Sequence, residues 1–349
     1  MKTKKRILVA PLDWGIGHAT RCIPIIKALI ANGYEVIIAA DGRPLHLLSA
    51  EFSELEIIRL EGYNIKYPVY LSMSLSMFLQ APKLLWNIKK ENRALNEIIK
   101  DYKIDGVISD NRFGLYTDKV PCVFITHQLE IRSPYFTEKI RALNYQYINK
   151  FNVCWVIDDE EENLAGNLSK PYILPNNSIY IGPKSRFEYQ ETEKKYGFLG
   201  LVSGPEPQRT IFEKGLIKAL KEKKQKSLII LGMPERKNTT KTGSLIIKSH
   251  LNAKDLNKAI LESNLIICRP GYSTIMDLQK LRSKAFFVPT PGQTEQEYLA
   301  KILNSKKTCH YQEQNKFDLE KAINESEKYT GFSKIRYPRT DWGKLFSIF

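Results

Sequence analysis

Residues Leu265 to Leu299 constrain this chain most. They read as an apolar strand, a glycine turn, a helix, a second strand, a polar turn and a second helix. That run places two helix N-termini at one edge of a parallel sheet, and their unpaired N–H groups and positive dipole ends suit phosphate. A second glycine turn, Trp14-Gly15-Ile16-Gly17-His18, follows the first apolar strand. Together the two turns predict a cleft between two nucleotide-binding α/β domains.

Length agrees, because 349 residues accommodate roughly two domains of about 150 residues. From residue 6 the first half alternates apolar strands with helical patterns. Strands are expected at 6–12, 34–40, 55–62, 105–110, 121–127 and 152–158. Helices are expected from Ala19 to Ala31, with Asn32-Gly33 as C-cap, and from Ser76 to Tyr102. Residues 158–195, rich in Asp, Glu and Pro, lack periodicity and read as a linker. The rhythm then resumes to about residue 328. The fold class is therefore α/β, with two doubly wound parallel sheets. Expected domains are 1–185 and 190–330, with the aromatic tail 331–349 packing back on the first.

Cys22, Cys122, Cys154, Cys268 and Cys309 are scattered and without close pairs, so they read as small buried apolar residues. No apolar run nears the roughly 20 residues that span a bilayer, and the N-terminal apolar stretch stops at Asp13, too early for a signal core. The expectation is a cytosolic protein. A net charge of +15 favours anionic partners. Basic residues are spread along the chain and no nucleic-acid module appears, so nucleic acid is the least favoured of these partners.

These motifs resemble the inverting glycosyltransferases of the GT-B fold. The likeness is closest to the family 28 and family 1 type, which includes the peptidoglycan N-acetylglucosaminyltransferase and the UDP-glucuronosyltransferases. The resemblance covers the chain in architecture and is specific in three places. Gly15-Ile16-Gly17-His18 matches the glycine-rich loop whose histidine is the general base. Cys268 to Leu278 with Thr290 to Glu297 matches the donor site. There the resemblance implies that the turn at Gly271 and the helix start at Ser273 and Thr274 bind the donor diphosphate. It further implies that Asp277, where a glutamate is commoner, holds the ribose, and that Gln296-Glu297 touches the sugar. Lys248 to Asn252 matches a loop contacting the base, here His250 and Leu251. Ser203 and Gly204 lie where relatives have a phosphate loop, although Pro205 and Pro207 remove N–H donors there. The donor would be UDP-linked, with no cofactor and no metal.

Each residue also has a plainer reading. His18 can be an ordinary N-terminal helix residue, with Asp110 or Asp13 as the group that would orient a catalytic ring. Thr274–Asp277 and Thr294–Glu297 each fit a capping box. Arg269 fits a phosphate partner or an ion pair behind the turn. His127, at a strand end on the acceptor side, and His250 fit buried or turn histidines. Asp158 to Glu162 reads as solvated loop charge in preference to a metal site. Residues 70–79 run into Lys83, Lys89 and Lys90, which fits either an amphipathic helix packed on the sheet or a contact with an anionic membrane that presents a lipid-linked acceptor. The rival functions are a non-hydrolysing sugar-nucleotide epimerase and a catalytically silent binding subunit.

Overall fold

The computed structural model describes residues 4–63, 73–131, 137–233 and 236–349, with the backbone alone for helix residues 73–79 and 81. The chain divides into two compact units: Met1–Lys184 with Pro338–Phe349, and Ser185–Tyr337.

The first unit is built on strands β1 (Arg6–Pro11), β2 (Glu35–Ala40), β3 (Glu56–Arg59), β4 (Gly106–Asp110), β5 (Cys122–Thr126), β6 (Val153–Val156) and β7 (Ser178–Tyr180). Their spatial order is β3-β2-β1-β4-β5-β6-β7, and every pairing is parallel. The central strands are largely apolar, as in sheets covered by helices on both faces; β4 and β5 are buried at every position, including the polar Ser109, Asp110 and Thr126. At the edges, β3 and β7 carry exposed positions. Helices α1 (Ile16–Ala31), α2 (Gly42–Glu51), α3 (Met73–Tyr102) and α4 (Thr137–Ile148) complete it. Gly33, at φ 85°, turns the chain out of α1, and its N–H bonds the Ile30 carbonyl at 3.0 Å. Helix α1 starts three residues before the expected Ala19, which brings His18 into its first turn.

The expected linker at 158–195 needs correction, since β7 lies inside it and the unit ends only at Lys184. Its acidic run is not simply solvated charge. Asp158 is buried and accepts the N–H groups of Asp159, Leu164 and Ala165 and the Ser169 hydroxyl. One carboxylate thus closes the loop that local periodicity could not define. All five cysteines are buried and unpaired.

The second unit contains β8 (Tyr196–Leu201), β9 (Ser227–Ile230), β10 (Thr239–Thr242), β11 (Leu245–Lys248), β12 (Ser263–Cys268), β13 (Ala285–Phe287) and β14 (His310–Tyr311). The order is β10-β11-β9-β8-β12-β13-β14. Only the edge hairpin β10–β11 is antiparallel. Helices α5 (Gln208–Lys221), α6 (Ala253–Leu261), α7 (Tyr272–Lys280), α8 (Thr294–Ser305) and α9 (Leu319–Ser326) pack on this sheet. The last helix, α10 (Trp342–Phe346), belongs to the first unit. Its Phe346 lies 5.8 Å from the Tyr34 ring, and the Phe349 ring covers Gly106, where any side chain would collide with it.

Candidate active site

In a doubly wound sheet the strand order reverses at one point. Loops leaving the neighbouring strands diverge there, and a crevice forms beyond their carboxyl ends. In the first unit that point lies between β1 and β4. Gly15, at φ 101°, turns the chain from β1 into α1, a backbone conformation that favours glycine.

His18, Arg21 and Cys22 share one face of α1, at spacings of three and four residues. That face meets Asp110, the last residue of β4. His18 Nδ1 lies 3.0 Å from Asp110 Oδ1. Arg21 Nε donates to Asp110 Oδ2 at 2.6 Å, and its Nη2 donates to Oδ1. Nη2 also lies 2.9 Å from His18 Nδ1, while Nη1 lies 3.0 Å from His127 Nδ1. Asp110 is fully buried and Arg21 nearly so, but the His18 side chain keeps 15% exposure. The ring is anchored at one nitrogen and remains reachable. Asp13, the other candidate orienter, accepts the Tyr63 N–H instead.

The charges follow from these contacts. Burial and then the Arg21 cation push the His18 pKa below its ordinary value, with Asp110 partly opposing. Burial alone would raise the Asp110 carboxyl, but Arg21 and then His18 outweigh it and hold the group well below the usual carboxylate range. A neutral imidazole bonded to a fixed carboxylate is the arrangement a general base needs.

A second network, which the sequence did not single out, braces the loop after Asp110. Arg112, fully buried, pairs with Glu91 of α3 and donates to the Glu61 carbonyl at 2.6 Å. Tyr63 Oη donates to Glu91 at 2.6 Å, and Ser109 Oγ donates to the Arg112 carbonyl at 2.6 Å. Nothing local marks this arginine, because its partners come from two other elements. In the same turn as His18, Trp14 and Ile16 are 37% and 47% exposed.

The reversal point of the second sheet lies between β8 and β12. Ser203 and Gly204 leave β8 exposed. The Gly204 φ of 110° requires glycine, and a Cβ there would stand 3.4 Å from Thr290 Oγ1 and 4.0 Å from Arg269 Nε. Both atoms are buried and have no hydrogen-bond partner among the described residues. The Glu206 carboxylate accepts the Thr210 N–H, so a side-chain anion already occupies the start of α5.

Arg269 is buried and donates to the Val288, Pro289 and Gln208 carbonyls and to Gln314 Oε1. Its guanidinium lies 4.2 Å from the Phe212 ring centroid. No carboxylate pairs with it among the described residues, and burial pulls its pKa down to about 10. Gly271, Ser273 and Thr274 form the half-buried start of α7. The Gly271 φ of −72° suits any residue, so its contribution is the missing side chain.

The capping boxes do not form. The N-cap of α7 is Gly271 and that of α8 is Gln293, neither with a side-chain cap. Asp277, half-buried, accepts from Ser185 Oγ at 2.5 Å, and burial raises its pKa to about 6 despite that hydroxyl and Arg186. Gln296 Oε1 accepts the Thr290 N–H and Glu297 Oε1 accepts the Gly292 N–H, both at 2.9 Å, so both brace the 290–293 loop. His250 is exposed and Leu251 half-buried, in the loop leaving β11.

Two units, each built on a doubly wound sheet, are the architecture of the GT-B glycosyltransferases. Residues 5–325 match Glycosyl transferase family 1. The chain belongs to that family. It is 21% identical over 325 residues to an uncharacterized glycosyltransferase of Methanosarcina mazei, spanning 85% of this chain and 83% of the relative. Acinetobacter baumannii MurG superposes with a TM-score of 0.61 at 15% identity, covering 99% of both chains. The spinosyn rhamnosyltransferase SpnG complexed with thymidine diphosphate gives 0.63 at 14% identity, covering 94% of this chain and 93% of that one.

Proposed function

We propose that this glycosyltransferase moves a sugar from a UDP-linked donor to an acceptor hydroxyl, lipid-linked or glycan, with inversion and without a metal ion. The His18–Asp110 pair carries the reading. With its Nδ1 hydrogen on Asp110, His18 Nε2 takes the proton of the acceptor hydroxyl. The resulting oxygen attacks the anomeric carbon as the bond to the diphosphate breaks and its electron pair leaves with the nucleotide. The start of α7 at Ser273 and Thr274 stabilises the departing charge. The buried Arg269 cation, which meets no carboxylate among the described residues, adds to that field. A neighbour of the same fold binds a nucleoside diphosphate. Calorimetry with UDP, TDP and GDP tests the donor, and UDP binding tighter than the other two is expected. Failure of all three to bind would remove the donor assignment.

Asp277 carries the ribose in this reading, and its pKa of about 6 makes that role pH-dependent. A carboxylate accepts hydroxyl hydrogen bonds more strongly than its protonated form. UDP affinity therefore weakens as pH falls through about 6, and Asp277→Asn weakens it at neutral pH and flattens the dependence. Equal UDP affinity at pH 5 and pH 7.5 in the unmodified protein would exclude the ribose contact.

We read the acceptor as lipid-linked and the protein as cytosolic, touching the inner face of the membrane. Among the described residues no helix is long and apolar enough to cross a bilayer. The expected apolar residues 70–72 and the side chains of 73–79 lie outside those described. Further along α3, Leu85 and Trp86 are 38% and 62% exposed, with Lys90 5.8 Å from the Trp86 ring. A basic residue adds about 1 kcal/mol near an anionic surface; Lys89 offers such a charge, while Lys90 also pairs with Glu61. Sedimentation with anionic vesicles should carry the protein down at low salt and release it at high salt, and Leu85→Ser with Trp86→Ser should reduce binding. Protein left in the supernatant at low salt would favour a soluble acceptor.

A further inference from the structure

Resting on His18 as the base, we propose that Arg21 is the positioning residue that selects which nitrogen of His18 carries the hydrogen. His18 Nδ1 has two neighbours at almost the same distance, Asp110 Oδ1 at 3.0 Å and Arg21 Nη2 at 2.9 Å. A ring nitrogen cannot donate to the first while accepting from the second. If Nδ1 accepts from Arg21, the hydrogen sits on Nε2 and the ring cannot take a proton from the acceptor.

The rest of the guanidinium resolves the competition. Its Nε and Nη2 fork onto the two oxygens of Asp110, and its Nη1 is turned to His127 Nδ1 at 3.0 Å. A guanidinium only donates, so His127 Nδ1 is the acceptor of that contact. Arg21 is thereby held flat against Asp110 and His127. Asp110, kept anionic by the fork, claims the His18 Nδ1 hydrogen and leaves the Nε2 lone pair outward. Among the described residues, the titratable groups acting on His18 are Arg21 of its own helix, Asp110 of β4 and His127 after β5. Arg21 contacts all the others. A lysine could supply the charge, but one ammonium cannot reproduce a planar fork.

The test is ring-nitrogen NMR on the full chain, labelled in its five histidines, with His18→Gln assigning the His18 signals. UDP release from UDP-glucose and UDP-N-acetylglucosamine is measured alongside. In the unmodified protein, hydrogen on His18 Nδ1 is expected. In Arg21→Lys the tautomers mix and kcat falls about a hundredfold, with the donor KM unchanged. In Arg21→Met the loss of the cation also moves the His18 titration and the acid limb of the rate to higher pH.

Hydrogen on His18 Nε2 in the unmodified protein overturns the proposal. So does Arg21→Lys with the original tautomer and rate. If Arg21→Met fails to fold because Asp110 is left unpaired, the unmodified and Arg21→Lys proteins still decide. The base itself is read separately. Undiminished UDP release by His18→Gln removes that reading, whereas lost release there with unaltered Arg21 variants removes only the role of Arg21.

Discussion

Replacing His18 by alanine should leave a folded protein that binds UDP normally and transfers sugar about a hundredfold to ten-thousandfold more slowly, the usual cost of losing a general base. The side chain keeps 15% exposure and bonds through one nitrogen, so its removal opens little of the core. Ser273, Thr274 and Asp277, the groups proposed to hold the donor, lie in a different unit, which is why affinity should hold. The unmodified rate should rise with pH along a limb whose midpoint falls below the ordinary histidine value, because burial and then Arg21 disfavour the protonated ring. The base is neutral above that midpoint, so activity is lost as pH falls through it. In His18→Ala the limb should vanish. Near-normal transfer by this variant would turn attention to His127.

The largest stability change is expected at Arg112. With Arg112→Ala the Glu91 carboxylate stays buried and, among the described residues, keeps the Tyr63 hydroxyl and the Gly114 N–H. Removing one partner of a buried ion pair costs about 3–5 kcal/mol, because the remaining charge is left without compensation. Replacing both, as Arg112→Met with Glu91→Leu, should recover much of the loss. Urea unfolding, compared at unchanged slope, measures both. A single-variant loss below about 1 kcal/mol would mean that water reaches Glu91 and the network is only ornamental to the fold. A structural loss here should also blunt catalysis modestly, since the loop behind Asp110 depends on it.

Much of the architecture is legible from local pattern. The buried runs at Ile7 to Ala10, Val107 to Asp110 and Leu265 to Cys268 are contiguous stretches whose burial needs no knowledge of distant residues. The glycines at 15 and 33 mark turns through backbone conformations that favour glycine over other residues. Other segments carry no such signal. Helix α2 carries a proline and a glycine in its first turn, and β7 is three residues long at a sheet edge.

The sequence by itself determined the alternation of strands and helices, the two glycine turns, and hence the resemblance to a glycosyltransferase. It also put His18 next to a helix start. All of these depend on covalent neighbours within a few residues. The tertiary structure decided what each polar side chain does. Asp110 lies 92 residues from His18 in the chain, and Asp13, much closer in sequence, turns to Tyr63. Asp277 and Glu297 fit capping boxes by spacing, yet one meets Ser185 and the other Gly292. Arg269 gathers carbonyls from the segment after β13 and from the first residue of α5. Apolar burial is non-directional and reads from periodicity alone, whereas a buried charge must find a specific partner, and which partner stands within 3 Å is set by the order in which the sheet brings its strands together.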